Sequence, residues 1–126
     1  MPSHRPSITQ LEHGPIFSWS RGHNGFIFTS GHAAVDVEAL GITLGDLASE
    51  TNATLTNLRR TLEKAGSGLD RVLKVTAYIT DMSQFAVFNS VYGKFFPGPK
   101  VPARTCVEVS RLPFNFKVEI EAVAHT

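Results

Sequence analysis

A chain of 126 residues is enough for one domain with one core and not for two. Its 42% hydrophobic and 18% charged residues suit a soluble globular protein, and a net charge near +1 with scattered basic residues makes no electrostatic case for nucleic acid or an anionic membrane. A single cysteine excludes an internal disulfide framework, and no apolar run approaches a signal segment or a membrane span, so a cytoplasmic protein is expected.

Residues 1 to 13 are polar and mixed, with Pro2 and Pro6, and partial order is expected there. Gly14-Pro15 punctuates, and Ile16 to Ser20 alternates weakly as a short strand. Arg21-Gly22-His23-Asn24-Gly25 is rich in turn formers and reads as a hairpin connection. Phe26 to Ser30 is a strand by composition, stopped by Gly31. His32 to Leu44 has no sustained period and reads as loop with a bridge of strand.

Asp46 is placed to cap a helix whose stripe, Leu47, Thr51, Leu55, Leu58, Leu62 and Ala65, falls at spacings of three and four. Arg59, Arg60 and Lys64 complement the dipole at its end, and Gly66-Ser67-Gly68 stops it. The Asn52-Ala53-Thr54 sequon lies inside this helix and reads as idle. Val72 to Thr80 is a strand, with Leu73, Val75, Ala77 and Ile79 on one face and Lys74, Thr76, Tyr78 and Thr80 on the other. Asp81 or Ser83 caps a second helix with the stripe Phe85, Phe88, Val91 or Tyr92, and Phe95. Phe96-Pro97-Gly98-Pro99 then forces an exit.

Pro102 to Val109 alternates again. Ala103, Thr105, Val107 and Val109 form a face suited to a core, while Arg104, Cys106 and Glu108 line the other, roughly 6–7 Å apart at two-residue spacing. After Ser110 to Asn115, a last strand from Phe116 to Ala124 sets Glu119 and Glu121 against Val118, Ile120 and Ala122. The order β-β-α-β-α-β-β describes one sheet with two single-stripe helices, an α+β domain over 1–126. A sheet face left uncovered, with Tyr78, Thr76, Arg104, Cys106 and Glu119 on it, would be a wet interface between copies.

Four groups carry candidate chemistry. Arg104 offers a rigid fork of donors that fits a carboxylate, or else pairs structurally with Glu108, Glu119 or Glu121. Glu119 and Glu121 can serve as acid–base groups if burial raises their pKa, or form a solvated face balanced by Lys117. Cys106 beside Arg104 could be a nucleophile, but cysteine is among the most buried residue types and no base can be placed near it. The five histidines show no metal-ligand spacing. His32 stands out among them because it follows Ser30-Gly31 at a strand end, where loops build sites. No phosphate loop and no nucleophile elbow is present.

The assembled motifs resemble the RidA/YjgF family of imine/enamine deaminases over nearly the whole chain. They are Thr29-Ser30-Gly31, Leu55-Thr56-Asn57-Leu58, Ala65-Gly66-Ser67, Leu69-Asp70-Arg71-Val72, Asp81-Met82, Asn89-Ser90-Val91-Tyr92 and Phe95-Phe96-Pro97. Pro102-Ala103-Arg104-Thr105-Cys106-Val107-Glu108-Val109, Arg111-Leu112-Pro113 and Val118-Glu119-Ile120-Glu121-Ala122 complete the set. The resemblance implies a chorismate-mutase-like fold, a mixed sheet with two helices on one face, assembled as a barrel-like homotrimer with sites between subunits. It implies hydrolysis of 2-imino acids to 2-keto acids and ammonia without metal or cofactor. Carried over by position, Arg104 grips the substrate carboxylate and Glu119 activates water. Ser30, Gly31, Cys106, Asn89, Phe17 and His32 would line the pocket.

The chain departs from the pattern at two places. Ile16-Phe17 follow Gly14-Pro15 where the family has tyrosine, and His32 stands where glutamine is common. With the bulk of Phe114 and Phe116, these changes point to a different or larger imine or enamine acid. The alternatives are a protein that binds 2-keto acids or acts as a chaperone without turnover, and an RNA-cleaving translation inhibitor, against which the near-neutral charge argues.

Overall fold

The sheet grows outward from its last strand in sequence. The computed structural model describes residues 10–11, 14–35 and 41–126, and the expectations for 1–9, 12–13 and 36–40 fall outside the described residues. Strands β1 (Gln10–Leu11) and β2 (Gly14–Pro15) form a short antiparallel pair. The main sheet holds β3 (Ser20–His23), β4 (Phe26–Thr29), β5 (Val72–Ile79), β6 (Ala103–Glu108) and β7 (Val118–His125) in the order β3-β4-β7-β5-β6. β5 and β6 run parallel and every other neighbour pair is antiparallel, so the sheet is mixed with β7 at its centre.

The first hairpin corrects the sequence reading. Arg21, Gly22 and His23 belong to a strand paired with Phe28, Ile27 and Phe26, and only Asn24-Gly25 turn. Both turn residues have positive φ (51° and 81°), the conformation whose twist matches the flanking strands.

Helix α1 (Leu47–Lys64) begins where expected, with the Asp46 carboxylate accepting from the Ser49 amide at 2.8 Å. It ends before Gly66, which takes the positive φ (85°) that a helix stop favours. Leu55, Leu58 and Leu62 are fully buried, each worth roughly 1.5–3 kcal/mol of burial. Asp81 caps a single 3₁₀ turn, Met82–Gln84, which leads into α2 (Phe85–Phe95). Phe88 and Tyr92 are the buried residues of α2, continued by Phe96 past its end, with ring centroids 5.6 and 4.7 Å apart along the row.

Both helices cover the same face. Leu55, Leu58, Leu62, Phe88 and Tyr92 form one core with Val75, Ala77, Ile79, Ile120, Ala122 and Ala124. Val72 joins that core and Leu73, expected there, is 45% exposed. The register between β5 and β7 shifts between Val72 and Lys74, and the extra residue of this bulge turns Leu73 outward.

The strand β6 holds the larger correction. Its register pairs Arg104 with Val75 and Cys106 with Ala77, so these two polar residues share the face that the helices cover. Ala103, Thr105 and Val107, the face expected to be core, are exposed. Thr76, Tyr78 and Glu119 keep their expected place on the open face, together with Phe28, Val107, Val123 and Glu121. Residues 32–44 carry two isolated bridges, His32 to Ile120 and Val35 to Ile42. Ala33, Ala34, Val35 and Phe116 make a second, small core beneath them. Among the described residues no helix is long and apolar enough to cross a membrane.

Candidate functional site

One half of the candidate site is a cleft of about 320 Å³ at the N-terminal end of β7, beside the chain leaving β4, holding Glu119, Ser30, Gly31, Phe17, Trp19, Phe114 and Phe116. The chain leaving β4 is stapled to β7 by two backbone bonds, His32 N–H to Ile120 O at 2.7 Å and Ile120 N–H to His32 O at 2.8 Å. That staple lays Gly31 against the Glu119 side chain. A Cβ at residue 31 would run into the Glu119 carboxylate, so a larger residue would have to displace that side chain.

Burial pushes the Glu119 pKa up, and the neighbouring Glu121 carboxylate adds to the rise. Glu121 is engaged, accepting from Tyr78 Oη at 3.2 Å. Among the described residues Glu119 has no hydrogen-bond donor of its own. A carboxylate so placed can take or give a proton near the cleft.

His32 is not a wall of this cleft. It is fully buried beneath α1, with Nδ1 2.8 Å from Ser30 O and Nε2 2.7 Å from Thr61 Oγ1. The carbonyl can only accept, so Nδ1 carries the proton and Nε2 accepts from the threonine hydroxyl. Desolvation lowers its pKa against the opposing pull of the Ser30 carbonyl. The ring sits 4.9 Å from that of Trp19. His32 thus sits behind the cleft wall, bonded to the Ser30 carbonyl and beside Trp19, whereas the expectation put it on the wall itself.

Two more groups that sequence reasoning missed brace the same region. Asn57 on α1 donates to the carbonyls of Ala33 (3.0 Å) and Val35. Glu50, 1% exposed, accepts from the amides of Gly45 (3.0 Å) and Lys117 (2.9 Å) and pairs with Lys117 Nζ at 3.4 Å. Glu50 lies between Leu47 and Thr54 at helical spacing, and a charge on that buried stripe was the available signal.

The other half of the site lies on the opposite face of the sheet. The Arg104 guanidinium stands 4.9 Å from the Tyr92 ring centre, 5.5 Å from Phe85 and 5.7 Å from Phe88. Nη1 donates to Asn89 Oδ1 at 2.7 Å. Among the described residues no carboxylate pairs with it, so the ion pair with Glu108, Glu119 or Glu121 is not formed. Glu108 instead accepts from the Met82 amide at 2.7 Å, Glu121 is held by Tyr78, and Glu119 faces away.

Cys106 packs against the core, and desolvation raises its pKa despite Arg104. A protonated, half-buried thiol is a poor nucleophile. Desolvation likewise pushes Tyr92 to about 12, and its hydroxyl has no hydrogen-bond partner among the described residues. The structure thus groups Ser30, Gly31 and Phe17 with Glu119, and groups Asn89 and Cys106 with Arg104. It does not bring the two groups together in one chain. Among the described residues no three His, Cys, Asp or Glu side chains gather as metal ligands.

The profile of the family described as Endoribonuclease L-PSP matches residues 10–126. A RutC family protein of Synechocystis is 43% identical over 102 residues, covering 80% of this chain and 78% of that protein. The 2-iminobutanoate/2-iminopropanoate deaminase of Salmonella typhimurium is 37% identical over 100 residues, covering 78% and 77%. Among solved structures, a Rid family protein of unknown function from Yersinia pestis superposes with a TM-score of 0.83 at 32% identity, covering 88% of each chain.

Proposed function

Because the chain belongs to the endoribonuclease L-PSP family, the RidA/YjgF proteins, we propose that it hydrolyses 2-imino acids, formed from enamines, to 2-keto acids and ammonia. The observation that carries the reading is Arg104. A guanidinium backed by three rings, fixed by Asn89 and paired with no carboxylate among the described residues is poised to receive one from a ligand. Glu119 supplies the complementary half, a partly desolvated carboxylate in a cleft.

The two halves face opposite sides of one sheet, so the working site joins Arg104 of one copy to the Glu119 cleft of the next, in a closed homotrimer. The open face with Phe28, Tyr78, Val107 and Val123 is the surface this assembly would cover. In the reaction Arg104 holds the substrate carboxylate, and Glu119 takes a proton from water as its oxygen bonds to the iminium carbon. Glu119 then returns that proton to the nitrogen, the C–N bond breaks to release ammonia, and the hydroxyl proton passes to Glu119 as the former water oxygen becomes the keto oxygen. An iminium carbon is already electrophilic, so orientation and one positioned acid–base suffice without a cofactor. The free, half-buried Cys106 fits work in a reducing cytoplasm.

The test is ammonia release from freshly generated 2-iminopropanoate, run beside a mass measurement of the assembly. Acceleration over spontaneous hydrolysis by a particle of three copies is expected. No acceleration at any protein concentration, with 2-keto acids still bound, would favour a binding protein instead. Phe17, in the cleft without the hydroxyl of a tyrosine, is the observation that keeps this second reading alive.

A further inference from the structure

The walls of the Glu119 cleft are aromatic to an unusual degree. Four rings line it, arranged as two edge-to-face pairs, Phe17 with Trp19 at 5.1 Å and Phe114 with Phe116 at 5.9 Å. Among the described residues that line it, Glu119 is the one ionisable group. The volume of about 320 Å³ sits at the small end of ligand pockets, ~300–1,000 Å³, yet is generous for a three-carbon acid.

Phe114 is the informative member. Its backbone is left-handed (φ 56°, ψ 21°), followed by Asn115 at φ 61°. Asparagine tolerates that region, whereas a bulky aromatic residue does so only under constraint. The ring gains little burial in return, since Phe114 is 55% exposed. A strained backbone that holds a large apolar side chain at the rim of a cleft suits a surface awaiting a cover.

We propose that the cleft selects imino acids with an aromatic side chain, and that Phe114 is the residue that sets this specificity. The inference rests on the deaminase reading. The substrate carboxylate goes to Arg104, the reacting carbon to Glu119, and the side-chain ring to the space between Phe17 and Phe114. Trp19, the sole tryptophan, lines the same cleft and reports occupancy by its fluorescence.

The experiment has two arms on the full chain. Turnover compares 2-imino-3-phenylpropanoate with 2-iminopropanoate, and Trp19 fluorescence compares binding of phenylpyruvate with pyruvate. A preference of about tenfold or more for the phenyl compound is expected in both arms, the scale of one or two aromatic contacts plus burial. Phe114→Ala should cut that ratio about tenfold. Phe114→Gly should cut it equally while raising the Tm by a few degrees, because glycine relieves the left-handed backbone.

Equal or reversed preference in the unaltered protein, or ratios unmoved in both variants, would overturn the proposal. So would a change of assembly mass in either variant, which would assign the ring to contacts between copies. If no imine is turned over but phenylpyruvate binding shows the ratio and its loss, the deaminase reading fails and the selectivity stands. If both imines are turned over alike, the reverse holds.

Discussion

Arg104 and Glu119, the two residues of the proposed reaction, sit in opposite surroundings. Around the cation everything favours charge: three ring faces and the Asn89 carbonyl surround it. Around the carboxylate the environment resists charge, through burial, Glu121 and a cleft of hydrocarbon rings. A group meant to hold a charged ligand must keep its charge. A group meant to exchange a proton must be able to lose and regain it. The contrast also divides the labour between an edge strand beneath α2 and the central strand.

Replacing Glu119 by Gln should have the largest effect, a loss of ~10²–10⁴ in kcat with 2-keto acid binding retained, because a positioned acid–base is removed. Unfolding should show the same contrast. With its folded pKa raised above the ordinary 4.5, native Glu119 binds its proton more tightly than the unfolded chain does. Stability is therefore lost as pH rises from 4.5 through the folded pKa, and the Gln variant should lose this component. A variant with normal kcat would move water activation elsewhere.

Arg104→Ala should cost about a hundredfold or more in kcat/KM, on the scale of ~2–5 kcal/mol for a buried charge contact. Arg104→Lys should not restore it, since lysine lacks the planar fork and the stacking. Coexpressing Arg104→Ala with Glu119→Gln sharpens the comparison. In randomly mixed assemblies about a quarter of the sites between copies would hold both native residues, and activity should return accordingly. Failure to recover would place both residues' work within one chain.

The smallest effect belongs to His32, which acts through its neighbours. Its folded pKa lies below 6.5, so the unfolded chain protonates first and stability is lost as pH falls below 6.5. His32→Leu should remove that slope and cost ~1–3 kcal/mol at neutral pH by stranding the Ser30 carbonyl and the Thr61 hydroxyl, read from denaturant midpoints at several pH values. An unchanged slope would assign the acid sensitivity to another group.

The sequence carried the helices well, because the cap at Asp46 and the leucine stripe repeat one period over five turns. It carried the strands less well. Alternation divides β6 into two faces but does not say which one a helix will cover. The small, branched face of Ala103, Thr105 and Val107 looks like a core in isolation, yet the rings of α2 settle over Arg104 instead. The same limit explains Leu73, where one bulge residue inverts the parity. Phe17 and Glu119, named through the family's pattern, do line one cleft. Trp19, Thr61 and Glu50 were not readable, since each contact joins residues more than ten positions apart, 13 for Trp19 with His32, 29 for Thr61 with His32 and 67 for Glu50 with Lys117.

The sheet order has a consequence for motion. β7 is paired on both sides, by β4 and β5, whereas β6 has one neighbour and an open edge. Amides of an edge strand exchange with solvent through smaller openings than those of a central one. Amides of the Arg104 strand are thus expected to exchange before those of the Glu119 strand, read by hydrogen exchange. The group proposed to grip the ligand sits on an edge strand, and the one proposed to meet water on the central strand.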